Sequence, residues 1–368
     1  MKTVCPAAKR LENLEPYDPR YLPARIYLNA NENPFGMPAA ARARLLEAVE
    51  QEPLHRYPDP LAKRLRSAIA KSIGVKEEHI VLGNGGDELL FNLCLAYGGE
   101  GRTLLLTPPT FSVYATNALL TNTEVIEVPR ACTIGPEGAM DFSLNEKEIL
   151  AQVKRSNPSI IILTSPNNPT GDCIPLKFIQ ELLEATNAVV LVDHAYIEFA
   201  SPGYDATHLL KEHANLAILR TLSKAYGLAG LRIGYLVAGD AITREFCKVR
   251  QPYSVDTLSA LAALAALDAE DDARAKIECM VSERERLVKA LGHKGLGLVL
   301  APSEANYLLL KVPKAHEIWQ KLYDDYGILV RDLSATPGLT NCLRVSIGTP
   351  EENDEFLAAL GAILKLAH

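Results

Sequence analysis

The sequence predicts an α/β fold: a large domain with a mostly parallel sheet flanked by helices, plus a smaller α+β domain. Three observations carry that expectation. First, seven short runs rich in Val, Ile and Leu lie between residues 79 and 239, and they are continuous rather than alternating. Strands covered on both faces read that way. Second, helical stretches separate most of these runs, and strands alternating with helices build a parallel sheet. Third, the texture changes after about residue 255 to long helices followed by short strands, the pattern of an α+β unit.

Taken in order, the first 30 residues are rich in Pro and Tyr and read as an extended arm. The strand runs are "HIVLG" (79–83), "TLLLTPP" (103–109), "EVIEVP" (124–129), "SIIILTSP" (159–166), "AVVLVDHAY" (188–196), "LAILRTLSK" (216–224) and "RIGYLVAG" (232–239). Helices are expected between them, for example over 86–97 and 174–186. Next comes "DTLSALAALAALDAEDDARAKIECMVSERERLVKAL", which reads as one or two long helices. Strands at 306–312, 327–332 and 342–348, a helix near 314–325 and a closing helix from about 351 complete the chain. The expected division is an arm over 1–30, a large domain over 31–255 and a small domain over 256–368.

Composition narrows the function. The chain has 368 residues, 48% of them apolar, so it can bury a sizeable core. A net charge of −7 with no block of like charge argues against nucleic acid or an anionic membrane as partner. No apolar stretch reaches the roughly 18 residues a membrane span needs, and the start lacks the apolar core of a secretory signal. Seven scattered cysteines without a CxxC pair predict free thiols and a cytoplasmic setting. The eight histidines form no HExxH or HxH group, so no metal site is expected.

Ligands of an open α/β sheet bind beyond the carboxyl ends of its strands, and those ends carry a coherent set of groups. "GNGGDE" (83–88) precedes a helix and offers free N–H groups to a phosphate. "TFSVY" (110–114) supplies Phe111 or Tyr114 as an aromatic face. "SPNNPTG" (165–171) turns sharply, and a cis X-Pro bond there would aim Asn168 inward. Asp193 directly follows an apolar run and needs a cationic or N–H partner. Lys224 offers an amine that can condense with an aldehyde, and Arg232 follows it. Singly, each has an ordinary explanation: a glycine turn, a packed ring, a surface turn, a helix cap, a solvated lysine. Together they match what pyridoxal phosphate requires: a phosphate cradle, a stacking face, donors to its phenolic oxygen, an acid at its ring nitrogen and an amine for its aldehyde.

At these residues the chain resembles the pyridoxal-phosphate-dependent aminotransferases of the class I/II, fold-type-I superfamily, and most closely their histidinol-phosphate branch. The resemblance runs along nearly the whole chain, through "LNANENPFG" (28–36), "RYPDP" (56–60), "PPTFSVY", "DHAYIEF", "TLSKAYGLAGLRIGY", "PSEANYLLL" (302–310), "GILVRD" and "CLRVSIGT" (342–349). It implies Lys224 as the lysine joined to the cofactor, Asp193 at the pyridine nitrogen, and Asn168 and Tyr196 on the phenolic oxygen. It implies Phe111 as the stacking ring, and the amides of Gly86 and Asp87, with Ser223 and Arg232, on the phosphate. Tyr57 would reach the neighbouring subunit's phosphate, which implies a homodimer with shared active sites. Tyr17, Asn31, Arg331 and Arg344 would contact substrate. Two departures stand out: His194 where the family often has Glu, placing a titratable ring beside the ring acid, and Gly86 where Ser or Ala is common.

The activity implied is ping-pong transamination between histidinol phosphate and a 2-oxo acid such as 2-oxoglutarate, in histidine biosynthesis. Lys224 would carry the substrate's proton. Two arginines suit both anions, because guanidinium grips phosphate and carboxylate in bidentate fashion. The alternatives are an aromatic amino acid aminotransferase, an L-threonine-phosphate decarboxylase, and a non-catalytic binding protein that keeps the cofactor.

Overall fold

Where the strands end decides where a ligand can sit, so sheet order comes first. The computed structural model describes residues 5–12, 14, 16, 22–135, 139–292, 296 and 298–366. Its strands are β1 (Ile26–Leu28), β2 (Ile80–Asn84), β3 (Thr103–Leu106), β4 (Glu124–Glu127), β5 (Thr133–Ile134), β6 (Met140–Asp141) and β7 (Ile160–Thr164). They continue with β8 (Val189–Asp193), β9 (Leu216–Thr221), β10 (Ile233–Ala238), β11 (Val299–Leu300), β12 (Tyr307–Lys311), β13 (Ile328–Asp332) and β14 (Cys342–Ser346). A seven-stranded sheet has the order β2-β10-β9-β8-β7-β3-β4 and a five-stranded sheet the order β1-β13-β14-β12-β11. In the large sheet only β10 runs antiparallel to its neighbours.

The continuous apolar runs are explained by burial on both faces. One face of the large sheet, with Leu105, Ile161, Val190 and Ile218, packs on Ile69, Phe178 and Leu182. The other, with Leu104, Ile162, Leu191 and Ala217, packs on Leu89, Leu93 and Phe246. Each fully buried side chain of this size contributes about 1.5–3 kcal/mol. The small sheet builds a separate core around Leu308, Leu310, Val330 and Val345, closed by Leu287 and Phe356.

Two assignments differ from the sequence reading. The arm's last residues, Ile26–Leu28, form the parallel edge strand of the small sheet beside β13. The region after 255 forms two helices, within the one or two expected, Thr257–Leu267 and Glu270–Leu291; what differs is the core the first of them joins. The first sends Ala263 and Ala266 into the core of the large sheet. The second sends Met280 and Leu287 into that of the small one. An Ala/Leu helix apolar all round does not reveal from sequence which core it faces.

Because β2, β3, β7, β8 and β9 are parallel, their carboxyl ends share one edge. β10, running the other way, starts at that edge: Ile233 pairs with Asn84, and Gly234 with Thr221. Arg232, just before β10, and Lys224, just after β9, therefore meet there despite the loop between them.

Candidate active site

At that edge the two sheets enclose a cleft of about 530 Å³. Its floor carries Asp193, Tyr196, Ser223 and Lys224. One side brings Gly86, Asp87, Phe111 and Asn168, and the small sheet brings Arg331 and Arg344, with Asn31 from the segment after β1. Arg232 lies at the rim. Tyr57 is outside its own chain's cleft: it is 82% exposed and its ring stacks on Tyr253 at 4.7 Å. Tyr17 lies outside the described residues.

The acid, the amine and the phenol all sit where burial perturbs them. Asp193 Oδ2 accepts 2.6 Å from the Tyr114 hydroxyl, and Oδ1 accepts 3.0 Å from the Ala195 N–H. Burial pushes this carboxyl up to about 6, against the pull of those donors. Lys224 Nζ donates to the Ala30 carbonyl at 2.9 Å and lies 5.8 Å from the centre of the Tyr196 ring. Burial first, and Arg344 second, lower this amine to about 8, so roughly a tenth of it is uncharged at pH 7, far more than for an ordinary lysine near 10.4. The Tyr196 hydroxyl accepts from Asn31 Nδ2 at 3.1 Å, and burial raises its pKa.

The anion-binding end is built from backbone. The helix Gly85–Tyr97 begins where β2 ends, so its free N–H groups and dipole face the cleft. Gly85, at φ +76°, takes a backbone conformation that side chains disfavour. An added Cβ there would lie 2.6 Å from Arg232 Nη2. Arg232 is held 2.9 Å from Asp87 Oδ2. A Cβ on Gly86 would instead meet Leu219 at an ordinary 3.4 Å, so the missing side chain there is no steric requirement.

Arg331 and Arg344 face each other in register across β13 and β14. Arg344 donates 2.6 Å to Asn168 Oδ1 and 2.6 Å to the Asn29 carbonyl. The carboxylate of Asp332, next to Arg331 in sequence, sits 2.8 Å from His316 Nδ1. Both Ser165–Pro166 and Asn168–Pro169 are cis, and Asn168 lines the cleft.

His194 corrects a sequence expectation. It follows Asp193 but points to the opposite face, as alternation in a strand demands. Its Nε2 accepts from the Ala206 N–H at 3.1 Å, which leaves Nδ1 to donate to the Ser165 carbonyl at 2.6 Å. Burial holds its pKa at about 4. It is neutral at ordinary pH and adds no charge beside the acid.

Sequence reasoning missed several polar residues of the cleft, namely Asn29, Thr110 and Thr164, and it weighed Tyr114 only as a flat ring. Tyr114 is buried, and its ring stands edge-on to Phe111 at 5.5 Å. Thr164 had one available signal: it is the polar last residue of an apolar run, as Asp193 is, and the two pair across β7 and β8.

The residues present fit pyridoxal phosphate. Among the described residues the buried Asp193 carboxylate takes its hydrogen bonds from two neutral donors, and a protonated ring nitrogen would supply the cationic partner such a group needs. At Gly85 the missing side chain lets the Arg232 guanidinium lie against the helix N-terminus, where a Cβ would displace it. A lysine with a lowered pKa lines the same cleft. Such a sheet edge, acid and amine define an enzyme that works through an aldehyde cofactor. The chain belongs to the family of class I and II aminotransferases, whose model matches residues 24–360. It is a pyridoxal-phosphate-dependent transferase.

Particular relatives sharpen this. Histidinol-phosphate aminotransferase 1 of Carboxydothermus hydrogenoformans is 42% identical over 352 residues, covering 95% of this chain and 96% of the relative. The crystal structure of histidinol-phosphate aminotransferase from Sinorhizobium meliloti, in complex with pyridoxal-5'-phosphate, superposes with a TM-score of 0.88 at 24% identity, covering 100% of this chain and 99% of that one. That likeness establishes the fold. L-threonine-O-3-phosphate decarboxylase from Porphyromonas gingivalis superposes with a TM-score of 0.79 at 25% identity, covering 92% and 99%.

Proposed function

We propose that this enzyme transfers the amino group of histidinol phosphate to a 2-oxo acid, most simply 2-oxoglutarate, as a step of histidine biosynthesis. The observation that carries the reading is the facing pair Arg331 and Arg344 on the wall of the cleft that holds Lys224. Like charges opposite each other across strands repel. A phosphate or carboxylate between them offsets that repulsion and is gripped by bidentate contacts. The name carried by the 42% identical relative supports the same substrate.

Each side chain then has a task. The amides at Gly86 and Asp87, with Ser223 and Arg232, hold the cofactor's phosphate. Phe111 covers one face of its ring. Asn168 and Tyr196 hold its phenolic oxygen, and Asp193 keeps its ring nitrogen protonated. Bound there, the cofactor supplies an aldehyde that takes up amino groups and an electron-poor ring that accepts electrons from the reacting carbon. Lys224 Nζ, lowered to about 8, removes the proton from the substrate carbon bearing the nitrogen and returns a proton at the end of the exchange. Asn31 and Arg344, with Arg331 and Tyr17, orient the substrate.

We also propose a homodimer in which Tyr57 completes the partner's phosphate site, in the cytoplasm. In support, Tyr57 is exposed and does not line its own cleft, and Leu54 and Leu61 are exposed near it in sequence. All seven cysteines are free thiols. Among the described residues no helix is long and apolar enough to cross a membrane. Mixing inactive Lys224→Ala and Tyr57→Ala subunits should restore activity through hybrid dimers with one intact site; no restoration would remove the shared-site reading.

A half-reaction screen tests the substrate. The yellow protein is mixed with histidinol phosphate, phenylalanine, tyrosine, glutamate and threonine phosphate, and bleaching of its visible absorbance identifies amino donors. Reaction with phenylalanine but not histidinol phosphate would overturn the proposal. The likeness to the Porphyromonas gingivalis decarboxylase favours a second reading. Carbon dioxide release from threonine phosphate without a 2-oxo acid would select it.

A further inference from the structure

We infer that Tyr114 is a positioning residue that, through a chain of hydroxyls ending at Asn167, sets whether Asp193 carries a proton in the site before cofactor binds. The inference rests on reading Asp193 as the acid of the cofactor's ring. Four contacts form the chain. Tyr114 O is 2.6 Å from Asp193 Oδ2 and 2.9 Å from Thr164 Oγ1. Thr164 Oγ1 is 3.2 Å from Thr110 Oγ1. Thr110 Oγ1 donates 2.9 Å to Asn167 Oδ1.

The Asn167 end is fixed. Its amide nitrogen donates to the Pro109 carbonyl at 3.0 Å and to Thr170 Oγ1 at 2.6 Å, so Oδ1 is the atom turned to Thr110 and can only accept. An ionised Asp193 is likewise only an acceptor. Between two acceptors stand three hydroxyls, each with one proton, and four contacts to fill. One contact must therefore lack a proton while Asp193 is ionised. A fourth proton on Asp193 Oδ2 fills them all: Asp193 donates to Tyr114, Tyr114 to Thr164, Thr164 to Thr110 and Thr110 to Asn167. An unmade hydrogen bond between buried groups is costly, so the links beyond Tyr114 favour a protonated Asp193. Tyr114 alone does the opposite, because its own O–H can donate to the carboxylate.

Other groups act on the same carboxyl. Asp87, from the helix Gly85–Tyr97, raises its pKa, and Lys224, after β9, lowers it. Tyr196 is coupled to it, and His194, next in sequence, is neutral. Arg232 and Arg344 line the same cleft. None of these distinguishes Tyr114 from the threonines, so substitutions along the chain isolate it.

The test titrates Asp193 in the full-length protein freed of cofactor. The infrared carboxyl stretch is followed against pH and assigned by its absence in Asp193→Asn. Tyr114→Phe removes the donor to the carboxylate and should raise the midpoint by about one pH unit. Thr164→Val cuts the chain beyond Tyr114, so a Tyr114 that accepts from protonated Asp193 has no acceptor for its own O–H, and the midpoint should fall by about the same amount. Thr110→Val cuts the chain one step further on and should also lower it; it replaces Thr164→Val if that variant does not fold. Thr164→Ser restores the hydroxyl and should restore the midpoint. Shifts of the same sign for Tyr114→Phe and the valine variants, or no recovery in Thr164→Ser, would overturn the inference. No substrate or cofactor enters this measurement. An aminotransferase without the relay would fail it, and a chain with the relay would pass it whatever its substrate.

Discussion

Two adjacent glycines at the start of one helix should behave very differently when replaced by alanine. At Gly85 the backbone is left-handed, which costs an L residue roughly 1–2 kcal/mol. The new Cβ would also fall 2.6 Å from Arg232 Nη2 and 3.1 Å from Cζ. The guanidinium is the far end of a flexible side chain, so it would swing away rather than force the backbone apart. In doing so it would leave Asp87 Oδ2, now 2.9 Å away, and the position proposed for it on the cofactor's phosphate. A lost hydrogen bond to a charged group is worth about 1.5–3 kcal/mol, which is roughly a 10- to 150-fold weaker cofactor dissociation constant. At Gly86 the added Cβ meets only Leu219, at 3.4 Å, and alanine is the better helix former by up to about 1 kcal/mol. Gly86→Ala should therefore bind cofactor as the parent does and melt no lower.

The assay has two arms. Cofactor affinity is read by absorbance or fluorescence titration. Thermal melting of the cofactor-free proteins then separates backbone strain from loss of the phosphate contact. Equal affinities for the two variants would refute the reasoning. So would a Gly85→Ala protein that melts lower yet binds cofactor undiminished.

Three further outcomes follow from the same geometry. Lys224→Ala should keep the fold and lose transamination; turnover retained in that variant would sink the mechanism. Arg331→Ala should raise the KM for histidinol phosphate by roughly 10- to 100-fold, the loss of one charge-assisted contact, with a smaller effect on phenylalanine; equal effects on both donors would count against an anion grip. His194 gives a pH dependence. Its pKa is about 4 in the fold against an ordinary value near 6.5. Above 6.5 neither folded nor unfolded chain protonates it. Between 6.5 and 4 only the unfolded chain gains the proton, so stability should fall as pH drops, by on the order of 3 kcal/mol in all. His194→Gln should flatten that window of the urea-midpoint profile relative to the parent; an unchanged slope would show that His194 is not the titrating group.

The strand ends were legible because burial on both faces leaves a run of apolar residues that stops abruptly at the first polar one. Asp193 is marked in that way, and Asn168 and Lys224 follow within a few residues of such an end. Tyr114 is not: its partner Asp193 is 79 residues away, and nothing local distinguishes a tyrosine that packs from one that donates. His194 could have been placed correctly by alternation alone. Adjacency in sequence suggested adjacency in the site, and the period of two in a strand opposes that. Asn31 is different again. Its side chain joins Tyr196 and Ser346, and such a tie between an N-terminal segment and two sheets has no signature along the chain.

The division of labour between the two cores bears on how the enzyme chooses a substrate. The acid, the amine and the phosphate cradle stand on the large sheet. The facing arginines stand on the small one. Polar contacts bridge the two: Arg344 reaches Asn168, the Tyr307 hydroxyl donates 2.6 Å to the Asn167 carbonyl, and Asn31 Nδ2 donates 3.1 Å to the Tyr196 hydroxyl. Two of these contacts end on groups assigned to the cofactor's phenolic oxygen, Asn168 and Tyr196. The position of a substrate's anion is thus coupled, through one or two short hydrogen bonds, to the groups that orient the ring. A donor whose phosphate or carboxylate sits too near or too far from its amino carbon would strain these bonds rather than the flexible arginine stems alone. Selectivity then acts on the alignment of the reacting carbon with Lys224 as well as on binding, and a misfit donor should lose turnover along with affinity.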